Sequence, residues 1–321
     1  MNKKDKKAIN IIAATTLCVG TISFFTSKYM VNYAINRKQP KPLTKSRKST
    51  HKPTLKRKFY SEMSIKQNEL NNIPHEIITL KSHNGTILKG HYFRKENAKR
   101  TILAMHGWRS AWNRDFAFIG EFLINSDSNV LFVEQRGQNS SEGKYIGLGL
   151  IERFDCVDWI RWINTHTPTT LPIYLYGISM GATSVLMATG QNLPKNVVGV
   201  IADCGFTSPD NIGDYVVRHK MHMFYGLKKL WSKTIFKHRT HLKMNEYSTL
   251  QAMKECKIPI LFIHGQDDNF VPVEMTYDNY NTCKCEKELL IIPKASHAMS
   301  CFVEPEKYKT FLTNFWAKHD I

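Results

Sequence analysis

From about residue 72 the apolar positions gather into short, dense runs: HEIITL, TILKGHYF, TILAMHG, NVLFVEQRG, PIYLYG, VVGVIAD, PILFIHG and ELLIIP. Several are apolar nearly throughout and rich in β-branched or aromatic residues, as strands covered on both faces are. Between most of them lie longer stretches with helical spacing, RDFAFIGEFLINS, LIERFDCVDWIRWINT, SMGATSVLMATG and EPEKYKTFLTNFWAKH. The alternation predicts an α/β fold, a mostly parallel sheet with helices on both faces. Asn84-Gly85 between two strand-like runs predicts an antiparallel hairpin that opens the sheet. There is no internal repeat, and 321 residues suit one large α/β unit with an amino-terminal addition.

That addition has a different texture. Twenty uncharged residues from Ala8 to Ser27 follow a lysine-rich start, long enough to cross a hydrocarbon layer at about 1.5 Å per residue. A cleaved signal would carry a shorter apolar core and a small-x-small site, so residues 1–35 read as a retained membrane anchor, with a cleaved signal or a soluble helix as the alternatives. Lysines and arginines flank both ends, so charge assigns no orientation across the membrane. Residues 36–58 hold three prolines and no acid and read as extended, suited to a solvated tether or to anionic lipid head groups, within a basic linker taken as residues 36–71. No aromatic interleaving or reader motif supports nucleic-acid binding.

Charge bears on this arm more than on the globular part. Of the net +18, residues 1–58 supply fifteen of the 45 basic residues and a single acid, Asp5. The pI of about 9.5 therefore says little about the remainder. The seven cysteines form no zinc-spaced pair, and Cys283-Lys-Cys285 is too isolated to read as a metal site, so free, mostly buried thiols are expected.

The chemistry enters at PIYLYGISMGATS. The strand ends at Gly177, a helix begins near Ser179, and reactive groups in such sheets gather at the carboxyl ends of strands. Glycines at 177 and 181 permit a turn so sharp that side chains there would collide, with Ser179 thrust above the sheet at a helix amino terminus. The bland alternative is a helix-capping serine. A nucleophilic serine needs a base and an orienting acid, in the chain order serine, acid, histidine. Asp267 and Asp268 follow one later strand and His297 the next; Asp268 is the preferred acid and Asp267 the alternative. His297 would accept the Ser179 proton, and Asp268 would fix its tautomer. The backbone N–H groups of Met180 and Trp108 are the expected oxyanion donors, with Gly107 giving clearance and His106 bracing the loop.

Taken together, LAMHGW, EQRGQNSSEGKY, GISMG, ADCGFTSP, HGQDDNFVP and ASHAMS resemble the α/β-hydrolase superfamily, and within it bacterial serine hydrolases of the esterase, lipase or S33-peptidase kind. The resemblance covers residues 72 to 321 and implies an eight-stranded-type sheet and a triad of Ser179, Asp268 and His297. Relatives often carry D-x-R-G-H-G where this chain reads Glu134-Gln135-Arg136-Gly137-Gln138-Asn139, a departure that bears on substrate preference. The resemblance also implies that residues 206–250, rich in Met, aromatics and cations, form a helical cap over the pocket. The expected activity is cleavage of small carboxylic esters through an acyl-enzyme, with no metal and no organic cofactor. Peptide or amide hydrolysis, or a silent hydrolase fold that binds at the membrane, are the alternatives.

Overall fold

The computed structural model describes residues 3–40, 54–168, 171–221 and 226–320. Its frame is one eight-stranded sheet: β1 (Glu76–Lys81), β2 (Ile87–Phe93), β3 (Arg100–Met105), β4 (Ser128–Glu134), β5 (Ile173–Ile178), β6 (Val197–Asp203), β7 (Ile260–Gly265) and β8 (Lys287–Ile292), in the order β1-β2-β4-β3-β5-β6-β7-β8. The first two strands form the hairpin expected at Asn84-Gly85, and β2 runs antiparallel to β4. Gly85 supplies the positive φ of 85° that the turn requires. All later pairings are parallel. β3, β4, β5 and β7 are buried at every position, the cause of their unbroken apolar runs.

The helices are α1 (Lys3–Ile35), α2 (Thr54–Asn72), α3 (Trp112–Asp115), α4 (Gly120–Asn125), α5 (Glu152–His166), α6 (Met180–Ala188), α7 (Pro209–Tyr215), α8 (Gly226–Thr240), α9 (Thr249–Glu255), α10 (Glu274–Thr282), α11 (Ser300–Val303) and α12 (Pro305–His319). They divide the core between the two faces of the sheet. Ile102 and Ala104 of β3 point to the side of α2, α3, α4 and α12, where Leu70, Phe116, Leu123 and Phe315 pack. Leu103 and Met105 of the same strand point to α5, α6 and α9, against Trp159, Val185 and Met253. This is the period-two alternation of a strand serving two cores.

Two segments depart from the sequence reading. The basic linker was expected to stay extended up to residue 58, yet α2 begins at Thr54. Phe59, Met63 and Leu70 make an apolar stripe that joins the core beside α3, where Phe59 meets Phe118 and Phe302. The rest of that linker, 41–53, lies outside the described residues. The insertion at 206–250 is helical as expected, but α8 lies on α1. Phe24 and Trp231 meet edge to face with ring centroids 5.2 Å apart, and Val31 and Ile35 share a cluster with Phe236 and Met244. Helix α1 therefore has two parts. Its amino-terminal half exposes Ile9, Ile12 and Leu17, while its last turns are docked on the domain. By length and composition α1 is able to cross a membrane.

Candidate active site

At the end of β5 the chain turns into α6 through Ser179, whose φ of 57° and ψ of −118° no ordinary helix cap adopts. A methyl group on Gly177 would strike the backbone of Gly181 and Ala182, and one on Gly181 would strike the carbonyl of Met105. Glycine at both positions is thus a steric requirement of the turn. Such a backbone costs about 1–3 kcal/mol and persists because its surroundings fix it. Here the Ser179 N–H donates to Asp203 O on β6 at 2.8 Å. The hydroxyl does not cap the helix; it points toward the histidine loop.

His297 stands in the loop after β8. Its Nε2 lies 2.9 Å from Ser179 Oγ, and its Nδ1 lies 2.6 Å from Asp268 Oδ2. The two partners set the tautomer: Nδ1–H donates to the carboxylate, leaving Nε2 to accept from the hydroxyl. The two adjacent acids point in different directions. Asp268 turns inward, with Oδ1 accepting from the N–H groups of Phe270 at 2.7 Å and Val271 at 3.0 Å. Asp267 is exposed.

Sequence reasoning missed a second imidazole on the same carboxylate. His264, fully buried at the end of β7, donates from Nε2 to Asp268 Oδ2 at 3.1 Å and to Val271 O at 3.0 Å, while Nδ1 accepts from Thr276 Oγ1 at 2.7 Å. Its one sequence signal was its place at the head of HGQDD. Burial alone would push the Asp268 carboxyl up, but hydrogen bonds from His264 and His297 outweigh it and hold the group well below the usual carboxylate range. Cys204 also approaches Asp268 and His297. Burial pushes its thiol far up.

The loop after β3 faces the serine from the other side. Gly107 N donates to Asp115 Oδ2 at 2.6 Å, and a methyl on Gly107 would crowd the Ser179 Cβ at 3.1 Å. His106 is a brace, as expected: Nδ1 donates to Gly107 O at 2.7 Å, Nε2 accepts from Gln135 N at 3.1 Å, and burial lowers its pKa. The segment that departs from the family pattern grips the same loop, since Gln138 Oε1 accepts from Arg109 N at 2.5 Å and Asn139 Nδ2 donates to Ser110 O at 2.8 Å. Among the described residues, neither the Trp108 nor the Met180 N–H is engaged by another group.

Beside Ser179 lies a cavity of about 180 Å³ whose apolar walls are Phe59 and Met63 of α2, Phe118 and Phe270, with Arg114 among its polar groups. None of the described lining residues comes from 206–250. The wall expected from that insertion is supplied by α2, because α8 is committed to α1.

Comparison with known proteins places the arrangement. A family model described as X-Pro dipeptidyl-peptidase (S15 family) matches residues 128–222, the stretch from β4 through the elbow into α7. The uncharacterized protein YqkD of Bacillus subtilis is 26% identical over 231 residues, covering 72% of this chain and 75% of its own. YfhR of Escherichia coli K12 is 22% identical, covering 69% of this chain and 73% of its own. Among solved structures, the Pyrococcus furiosus esterase Pf2001 superimposes with a TM-score of 0.64 at 23% identity, over 79% of this chain and 95% of that one. The Pyrococcus horikoshii acylaminoacyl peptidase gives 0.59 at 18% identity, over 79% of this chain and 43% of that one. The chain has the α/β-hydrolase fold.

Proposed function

We propose that the chain is a membrane-tethered serine hydrolase that cleaves small carboxylic esters through an acyl-enzyme on Ser179. The observation that carries the reading is the continuous relay from Ser179 Oγ through His297 to Asp268, at 2.9 Å and 2.6 Å. Ser179 Oγ attacks the ester carbonyl as His297 Nε2 takes its proton, and Asp268 stabilises the imidazolium. The carbonyl oxygen becomes an oxyanion held by the Trp108 and Met180 N–H groups. His297 then protonates the departing alkoxide, leaving Ser179 acylated. A water, deprotonated by His297, attacks the acyl carbon, and the proton returns to Ser179 as the acid leaves. The cavity is smaller than the ~300–1,000 Å³ of pockets for drug-sized ligands, which favours a short acyl group. Every step is supplied by side chains and backbone donors of this chain.

A second reading is amide or peptide hydrolysis, favoured by the S15 match across the elbow. Both are tested with the full-length protein in detergent. A fluorophosphonate probe is expected to label the wild type and not Ser179→Ala; persistent labelling of the variant would place the nucleophile elsewhere. Turnover of short-chain esters well above aminoacyl-amides supports the ester reading, and the reverse order replaces it with the peptidase one.

A further inference from the structure

The end of α1 does not fray into solvent. Its last carbonyls are taken by side chains of the loop that carries the Trp108 N–H. Trp108 Nε1 donates to Ala34 O at 2.7 Å. Arg109 Nη2 donates to Tyr33 O at 2.8 Å and to Asn36 O at 2.6 Å, and its Nε donates to Tyr33 O at 3.2 Å. A helix carboxyl end carries unpaired carbonyls and the negative pole of the helix dipole, and a guanidinium answers both. The backbone beyond the helix is secured as well: Ile146 N donates to Ile35 O at 2.7 Å and Arg37 N to Lys144 O at 3.0 Å. From the other side Arg239 of α8 donates to Asn36 Oδ1 at 2.7 Å.

Arg109 pays for this role in its own backbone. Its φ of 51° lies in the left-handed region, which a non-glycine residue enters only when its surroundings impose it. The constraints are visible: Gln138 holds its N–H, and the end of α1 holds its guanidinium. The residue so constrained directly follows the oxyanion donor. Arg109 and Trp108 also line the cavity beside Ser179.

We propose that the last turns of the membrane-type helix belong to the active site: the carbonyls of Tyr33, Ala34 and Asn36 hold the side chains of Arg109 and Trp108, and thereby aim the Trp108 N–H at the oxygen that becomes negative on Ser179 attack. The proposal rests on the serine-hydrolase reading above. Arg109 is a positioning residue and touches no reacting atom. Its effect falls on the transition state, where the N–H must meet a newly charged oxygen, and not on the binding of neutral substrate.

The test uses the full chain in detergent micelles, with Arg109→Ala and the milder Trp108→Phe, which removes the indole N–H but keeps an aromatic ring. Three quantities are read: kcat and KM for a short-chain ester, the second-order rate of fluorophosphonate labelling, and the thermal midpoint. For Arg109→Ala, kcat is expected to fall about ten- to a hundredfold, as for a displaced oxyanion donor, with KM within about threefold and labelling slowed in parallel. Trp108→Phe is expected to fall in between. Wild-type kcat and labelling rates in both variants overturn the proposal, as does a loss of kcat that merely follows loss of folded protein in both. A wild type that the probe does not label at Ser179 sinks the serine-hydrolase reading itself. A labelled wild type with equally fast variants sinks only the role given to α1.

Discussion

Replacing Asp268 with asparagine changes one atom and leaves no harmless way to place it. Oδ2 accepts from two imidazoles and Oδ1 from two backbone N–H groups. If the new NH₂ takes the Oδ2 side, it meets the N–H of His297 and His264 donor to donor. If it takes the Oδ1 side, it meets the N–H groups of Phe270 and Val271. In the first case the His297 ring must turn or change tautomer, and Nε2 no longer accepts from Ser179. On the proposed function, losing the acid that orients His297 in this way is expected to cost about 10⁴ in kcat, some 5 kcal/mol of barrier. The fold is weakened too, since the side chain is fully buried and a hydrogen bond to a charged group contributes about 1.5–3 kcal/mol. Because the Asp268 carboxyl is held below its ordinary value, its stabilisation is present above the unfolded carboxylate pKa of ~3.9 and is lost as pH falls toward the lower folded value. Steady-state ester hydrolysis at pH 8 and denaturant melts at pH 7 and pH 3 measure both effects for Asp268→Asn. Activity within tenfold of wild type would refute the assignment of the orienting acid. A stability gap as large at pH 3 as at pH 7 would refute the account of its charge.

Two further outcomes follow from the walls and the turn. Met63→Ala deepens the cavity beside Ser179, so the kcat/KM ratio of a longer to a shorter acyl ester is expected to rise about tenfold, since one methylene in a pocket is worth ~1–3 kcal/mol; an unchanged ratio would remove α2 from the acyl site. Gly181→Ala drives a methyl into the Met105 carbonyl at the centre of the sheet and is expected to cost at least the ~1–3 kcal/mol of an overpacked core, read as a shift in urea midpoint.

The strands and the elbow were legible in the sequence because their causes are local. A parallel strand buried on both faces has to be apolar throughout, and Gly177 answers a clash with Gly181 and Ala182 only a few residues on, whereas the Gly181 clash with the Met105 carbonyl belongs to the packed sheet. Asp268 was preferred in the sequence with Asp267 as the alternative, and the physical ground for separating them was not local, because neighbours in a tight turn point opposite ways. The turn itself, with Asp268 N bonded to Gly265 O at 3.1 Å, decides which faces inward. Helix α2 was hidden because its stripe of Phe59, Met63 and Leu70 is diluted by charges and follows a proline-rich run. The seat of α8 within 206–250 was not legible for a related reason. A Met- and aromatic-rich surface fits an acyl chain or another helix equally well in composition, and here α1 occupies it.

The backbone at Ser179 has one consequence for how such a chain ages under heat. The torsions forced on that residue are ones a side chain resists and bare glycine tolerates. Selection for endurance alone would therefore strip the position of its hydroxyl and leave a sturdier protein. The hydroxyl survives there at the expense of durability.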